Sequence, residues 1–333
     1  MQACAPGKLI LSGEHSAVYG APAVALAVNR YIHCQSERSS FPGLIWSLPE
    51  QQLAGRLTWQ ALSSLRQQLD QYFVEFEQGF RSVAEILSSP EQLLLYAVAQ
   101  LLPSPLPSQG FSIQVNSQLP LGAGMGSSAA AAASILALSA AEFGVTLDLE
   151  QRFRLVRYCE RLCHGRGGLI DSAAVTHGGL IQVLDGEVSP LPHNLEDGWF
   201  YVNSGTPQAG TGECVEFVRQ RFANEPIWQK FTNVTHGLVN ALAEKRSPVE
   251  FIRENHRLLQ HIGVVPQPVS DFIAQLELLG AAAKVSGAGS VHGDNAGALI
   301  VYAPDIDISV LCEQAGYDFM SIEQDRQGAR VCD

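Results

Sequence analysis

A glycine-rich loop and four ionisable residues carry the chemistry legible in this sequence. The loop is Leu119-Pro120-Leu121-Gly122-Ala123-Gly124-Met125-Gly126-Ser127-Ser128, and it runs directly into Ala129 to Ala133. Glycine lets a backbone take positive φ and approach a ligand closely. Serine caps helices well and alanine propagates them, so a helix is expected to start at the serines. A helix start offers unpaired N–H groups and the positive end of the macrodipole, which together suit an anion such as phosphate. No Gly-Lys-Ser/Thr closes the loop, so it is not a Walker A sequence, and it does not fit the Gly-x-Gly-x-x-Gly of a dinucleotide site.

The ionisable candidates are Lys8, the pair Glu14-His15, Glu160 and Asp171. Lys8 and Glu14-His15 bracket a short apolar strand, Leu9 to Leu11, which Gly13 ends. Taken singly, Lys8 reads as a solvated charge at a strand end and Glu14-His15 as a turn with exposed polar groups. Glu160 lies near the end of a predicted helix, where a carboxylate opposes the dipole. That placement calls for a positive partner, which is either a bound cation or an arginine such as Arg157. Asp171 follows the turn Gly165-Arg166-Gly167-Gly168 and precedes a short helix, so it reads as an N-cap or as a positioned catalytic carboxylate.

The elements that must hold these groups follow from periodicity. Helical spacing of Leu62, Leu65, Leu69, Phe73 and Phe76 predicts a helix between Leu57 and about Val83. A second helix is expected over Glu91 to Leu102 behind Pro90. Phe111 to Val115 alternates like a strand and leads into the glycine loop. The helix after the loop should end at Phe143, with Gly144 as its C-cap. Leu149 to His164 should form another, burying Phe153, Val156, Cys159, Leu162 and Cys163. Leu180 to Leu184, residues 199–203 and Ala298 to Tyr302 read as strands. Helices dominate between Glu213 and Leu279, and Lys284-Val285-Ser286-Gly287-Ala288-Gly289 reads as a second glycine-rich turn. The composition changes near residue 190, which divides the chain into domains 1–190 and 191–333.

Composition narrows the class. The chain has 333 residues, 46% hydrophobic and 16% charged, enough for a sizeable core in a soluble globular protein. A net charge of -12 argues against nucleic acid or an acidic membrane as partner. No apolar run spans a bilayer, and the N-terminus lacks the features of a signal peptide. Seven scattered cysteines form no disulfide framework or zinc pattern, which points to a reducing, cytoplasmic compartment.

Three elements in order, Pro6-Gly7-Lys8 to Gly13-Glu14-His15, the glycine loop with its double serine, and Ser286-Gly287-Ala288-Gly289, resemble the GHMP small-molecule kinases. Within that family the chain is most similar to the mevalonate kinase branch. Ser16-Ala17-Val18-Tyr19-Gly20 after the first motif, and Glu160-Arg161-Leu162-Cys163-His164-Gly165 followed by Asp171 and Gly178-Gly179, carry that finer likeness. The resemblance implies a two-domain α/β fold, with a ribosomal-protein-S5-like N-terminal domain and a ferredoxin-like C-terminal domain. It implies an ATP- and Mg²⁺-dependent kinase acting on the primary hydroxyl of mevalonate. The alternatives are a kinase of the same family for phosphomevalonate or a sugar, or a catalytically silent relative. A small-molecule acceptor and ATP are the implied partners, and a homodimer is an open expectation.

By the same resemblance, Asp171 matches the base for the acceptor hydroxyl and Lys8 the cation beside it. Gly122, Ala123, Gly124, Gly126, Ser127 and Ser128 match the phosphate-binding backbone, and Ser128 with Glu160 match the Mg²⁺ ligands. Glu14, His15, Thr211, Gly287 and Ala288 match the acceptor side. Two departures stand out. Arg166, Gly167, Gly168 and Leu169 replace the family's Asn-Pro-Ser-Gly turn. Ser290-Val291-His292-Gly293-Asp294-Asn295 replaces a further glycine run after the third motif. Arg166 adds a cation that could meet an acceptor carboxylate or phosphate, or face solvent.

Overall fold

The computed structural model describes residues 1–120, 124–165 and 167–332. The expectations for Gly122, Ala123 and Arg166 lie outside the described residues. Two sheets organise the described residues. Among the described residues the first has eight strands in the order β12-β1-β2-β5-β3-β4, with β6 pairing β2 and β7 pairing β6. Its members are β1 (Gln2–Ser12), β2 (Ala23–Ser39), β3 (Gly43–Leu48), β4 (Leu53–Thr58), β5 (Gly110–Ser117), β6 (Leu180–Leu184), β7 (Glu187–Leu191) and β12 (Arg330–Cys332). All its pairings are antiparallel except β3 with β5. The second sheet is antiparallel in the order β11-β8-β10-β9, from β8 (Trp199–Asn203), β9 (Ala282–Val285), β10 (Ala298–Tyr302) and β11 (Asp318–Ser321).

The helices are α1 (Trp59–Glu77), α2 (Glu91–Ala99), α3 (Ser127–Phe143), α4 (Leu149–His164), α5 (Leu169–His177), α6 (Thr211–Phe222), α7 (Ile227–Ala243), α8 (Val249–His261), α9 (Gln267–Leu278) and α10 (Ser309–Ala315). The alanine-rich α3 buries Ala129, Ala130, Ala132, Ala133, Ile135, Leu136 and Leu138. A helix apolar nearly all round belongs in a core. It lies against β1, β2, α2, α4 and α5, and its small side chains let those elements approach. α4 follows the expected span, with Asp148 capping it through Gln151 N–H, and Gly144 ends α3 in the left-handed region at φ 65°.

Alternation divides β10 between two cores. Ala298, Ile300 and Tyr302 join the core under the first sheet, while Leu299 and Val301 join the one formed with α7, α8 and α9. The strand is therefore apolar on both faces, as its unbroken run of hydrophobic residues requires.

Several expectations change. β1 extends to Ser12, so Lys8 lies inside a strand rather than at its end. Residues 43–58 form the β3–β4 hairpin, so the helix expected from Leu57 begins only at Trp59. The helix start after the glycine loop is held by Gly126 at φ 70°, not by a serine; Ser127 and Ser128 occupy the first turn. A side chain at Gly126 would also meet the Lys8 stem, with Cγ 2.9 Å from the Cβ position. Asp171 is not an N-cap: Gly168 takes that place and Asp171 lies in the first turn of α5. Cys163 is only partly buried, while Cys159 is fully so.

Candidate active site

β1 is the backbone of the site. Its Lys8 is 4% exposed, and the Lys8 amide donates to the Met125 carbonyl at 2.9 Å. That bond fixes the glycine loop against the strand. α5 packs on β1 and β2 and brings its first turn over Lys8. The Lys8 ammonium then lies 3.0 Å from a carboxylate oxygen of Asp171. The contact joins a buried cation to a carboxylate that keeps 30% of its side-chain surface exposed.

α3 and α4 pack side by side, which brings Ser128 to Glu160. The Ser128 hydroxyl donates to one Glu160 oxygen at 3.1 Å, and His164 Nε2 lies 3.6 Å from the same oxygen. Glu160 is fully buried, and its other oxygen has no hydrogen-bond partner among the described residues. Burial, and next the negative charge of Asp171, push its carboxyl up to about 8; the Ser128 bond and Lys8 oppose that rise. An orphaned, desolvated carboxylate beside a second acid and a hydroxyl suits a hard cation, which takes oxygen ligands. Arg157, the alternative partner for Glu160, instead sits over the Phe153 ring.

The N-terminus of α3 has no side-chain cap. Its first amides therefore remain available to an anion approaching over Gly124 and Gly126. Gly124 is exposed, and a Cβ there would lie 3.4 Å from the Ser286 carbonyl oxygen, so the first glycine loop and the third motif adjoin.

The end of β1 faces that third motif. His15 Nε2 meets the Ala288 carbonyl at 2.9 Å, and the Ile10 amide donates to Ser286 Oγ at 2.8 Å. Burial pushes the His15 imidazole below its ordinary range. Glu14 is buried, and its carboxylate pairs with Lys284 rather than opening to solvent. Thr211 is exposed at the first position of α6. That helix meets the third motif through Cys214 Sγ, 3.6 Å from the Gly289 carbonyl, and Glu213, 3.1 Å from His292 Nε2. No hydrogen bond joins the Thr211 side chain to the other candidates among the described residues.

Two features were missed in the sequence. One is Lys284, read only as the start of a turn, although it sits in β9 and is fully buried. Its signal was a lone charge inside the apolar run Ala281 to Val285. The other is the clamp on α4. Arg161 pairs with Asp70 at 2.7 Å, stacks over Tyr158 and Phe73, and shares Asp70 with the Tyr96 hydroxyl. It ties the residue next to Glu160 to α1 and α2. Its partners come from three helices, so no local pattern announced it.

Comparison with known proteins bears on the family and the fold. Residues 93–179 match the family model described as the GHMP kinases N terminal domain. A mevalonate kinase of Archaeoglobus fulgidus is 30% identical over 297 residues, covering 87% of this chain and 89% of that protein. One from Pyrococcus horikoshii is 28% identical over 357 residues, covering 99% and 97% respectively. The crystal structure of the Methanococcus jannaschii mevalonate kinase superposes with a TM-score of 0.81 at 17% identity, covering 97% of this chain and 98% of that one. The mixed α/β architecture described above is thus the fold of these kinases.

Proposed function

Since the chain belongs to the GHMP kinase family and is a small-molecule kinase, we propose that it transfers the γ-phosphoryl group of ATP to the primary hydroxyl of mevalonate, giving 5-phosphomevalonate. The observation that carries this reading is the Lys8–Asp171 pair at 3.0 Å, beside the uncapped start of α3. The names of the full-length relatives supply the acceptor.

Phosphoryl transfer asks mainly for alignment and charge stabilisation. In this reading Asp171 accepts or orients the proton of the acceptor hydroxyl. Lys8, 3.0 Å from Asp171, stabilises charge on the transferring oxygens. Gly122, Ala123, Gly124, Gly126 and Ser127 hold the nucleotide phosphates through backbone amides. His15, the Gly287-Ala288 turn and Thr211 line the acceptor side, with Glu14 behind His15. The orphaned oxygen of Glu160 fits a divalent cation, so Ser128 and Glu160 would hold Mg²⁺, which with ATP bound would neutralise phosphate charge.

The division near residue 190 belongs to the same proposal. Its support is that the eight-stranded sheet draws on residues 2–191 and the short 330–332 strand, and the four-stranded sheet on 199–321. No helix among the described residues is long and apolar enough to cross a membrane. A cytoplasmic location is likewise part of the proposal, supported by the scattered cysteines.

The test is ADP release with ATP and Mg²⁺ against mevalonate, phosphomevalonate and galactose. Turnover with mevalonate at least tenfold above the others is expected. Preference for another acceptor would replace mevalonate and keep the kinase, and no turnover with any would favour a silent relative.

A further inference from the structure

We infer that Lys284 is a positioning residue of the transfer reaction: from β9 it latches the end of β1 and so sets the acceptor rim at His15. The inference rests on the kinase reading above.

Every second residue of the 284–288 segment grips the stretch between Ile10 and His15. The Lys284 ammonium donates to the Ile10 carbonyl at 3.2 Å and to the Glu14 carboxylate. Ser286 Oγ accepts from the Ile10 amide at 2.8 Å. The Ala288 carbonyl meets His15 Nε2 at 2.9 Å. Lys284, in β9, and Ser286, just past its end, act through their side chains, whereas Ala288 reaches His15 through its main-chain carbonyl beyond Gly287 at φ 119°. Side chains therefore replace a strand ladder between the two sheets at this seam.

The held stretch is one that local preference would not produce. His15 has φ 57°, in the left-handed region, and Gly13 has φ 101° with its Cβ position 2.4 Å from Ala23 Cα. A non-glycine residue keeps such a conformation only where its surroundings over-determine it. Lys284 is fully buried and Glu14 is 3% exposed, so neither offers a charge to a ligand. Their pairing acts on His15, the next residue, which remains partly exposed. A lysine has three donors in a compact head, and here they bridge a main-chain oxygen and a carboxylate on one short turn. Removing the latch frees the Glu14-His15 turn from the third motif while leaving Lys8, Asp171, Ser128 and Glu160 in place.

The experiment uses the full chain with Lys284→Gln, and with the paired change Lys284→Met/Glu14→Leu. The second exists because an unpaired buried charge can prevent folding, whereas an apolar pair often folds as well as the ion pair it replaces. Steady-state kinetics are read with the acceptor and ATP varied separately. In parallel, long-range ¹H–¹⁵N spectra follow the His15 ring, its signal identified by loss in His15→Asn. The expected result is an acceptor KM raised at least tenfold, an ATP KM within threefold of the unaltered protein, and a shifted His15 Nε2 resonance. A folded variant with unaltered acceptor KM and His15 resonance would overturn the inference. So would a rise of both KM values with a fall of kcat that follows the melting temperature. If the unaltered enzyme turns over no acceptor in the panel, the kinase reading fails, and the His15 spectrum alone still decides whether Lys284 holds the rim.

Discussion

Lys8 and Asp171 meet at 3.0 Å although they belong to elements more than a hundred and fifty residues apart in the chain. One is buried inside β1 and the other sits in the first turn of α5, so the pair exists only because α5 packs on that strand. Asp171→Asn keeps the shape and removes the proton acceptor. The expected outcome is a fall in kcat of roughly 10²–10⁴-fold, the usual worth of a general base. Nucleotide affinity, measured by calorimetry, should stay within threefold. Near-normal turnover would take Asp171 out of the reaction.

Ser128 and Glu160 form the second contact, between α3 and α4. Ser128→Ala and Glu160→Gln should each raise the Mg²⁺ concentration for half-maximal rate by about tenfold or more, the range seen when metal-site partners are removed. Glu160→Gln should have the larger effect, since it removes the group that can ionise against a cation and whose second oxygen has no partner among the described residues. A titration unchanged in both variants would separate the pair from metal binding.

The clamp beside Glu160 gives a stability prediction. Asp70 accepts from Arg161, Tyr96 and Tyr158. Asp70→Ala should lower stability by about 1–3 kcal/mol, the cost of stranding hydrogen-bond donors, reduced by the partial exposure of the pair. Thermal melting reads it directly, and kcat at a temperature well below the transition should fall by less than tenfold.

His256 supplies a pH dependence. It is 4% exposed, its Nδ1 has no partner among the described residues, and burial with the charges of Lys284 and Arg257 lowers its pKa from 6.5 to about 4. Above pH 6.5 the ring is neutral in both folded and unfolded chains. Between about 6.5 and 4 the unfolded chain binds a proton that the folded one refuses, so stability falls as pH falls. The loss across that window is on the order of 3 kcal/mol at most. His256→Gln should flatten this part of the melting-temperature profile, and an unchanged slope would assign the acid sensitivity to other groups.

These residues show what was legible in the sequence. Local signals sufficed for the extent of α3 and α4, where the alanine run, Gly144 and the apolar spacing from Phe153 to Leu162 mark the helices. They also sufficed for β10, whose apolar run needed two cores to cover it. Pairings decided by distant partners were not legible. Lys8 read as a strand end because the ladder that extends β1 is with β2 and β12, not with its neighbours in sequence. The helix start went to glycine because the loop must clear the Lys8 stem. Lys284 and the Asp70–Arg161 clamp draw their meaning from elements far along the chain. Of the candidate site, Lys8 with Asp171 and Ser128 with Glu160 are brought into contact, His15 meets Ala288, and Thr211 stands apart on α6.

The most direct test of the central claim is the phosphorus spectrum of the product formed from ATP, Mg²⁺ and mevalonate. The account predicts a phosphomonoester resonance coupled to two methylene protons, absent when Asp171→Asn replaces the unaltered enzyme. Inorganic phosphate alone, or an ester without methylene coupling, would contradict transfer to the primary hydroxyl at the Lys8–Asp171 site.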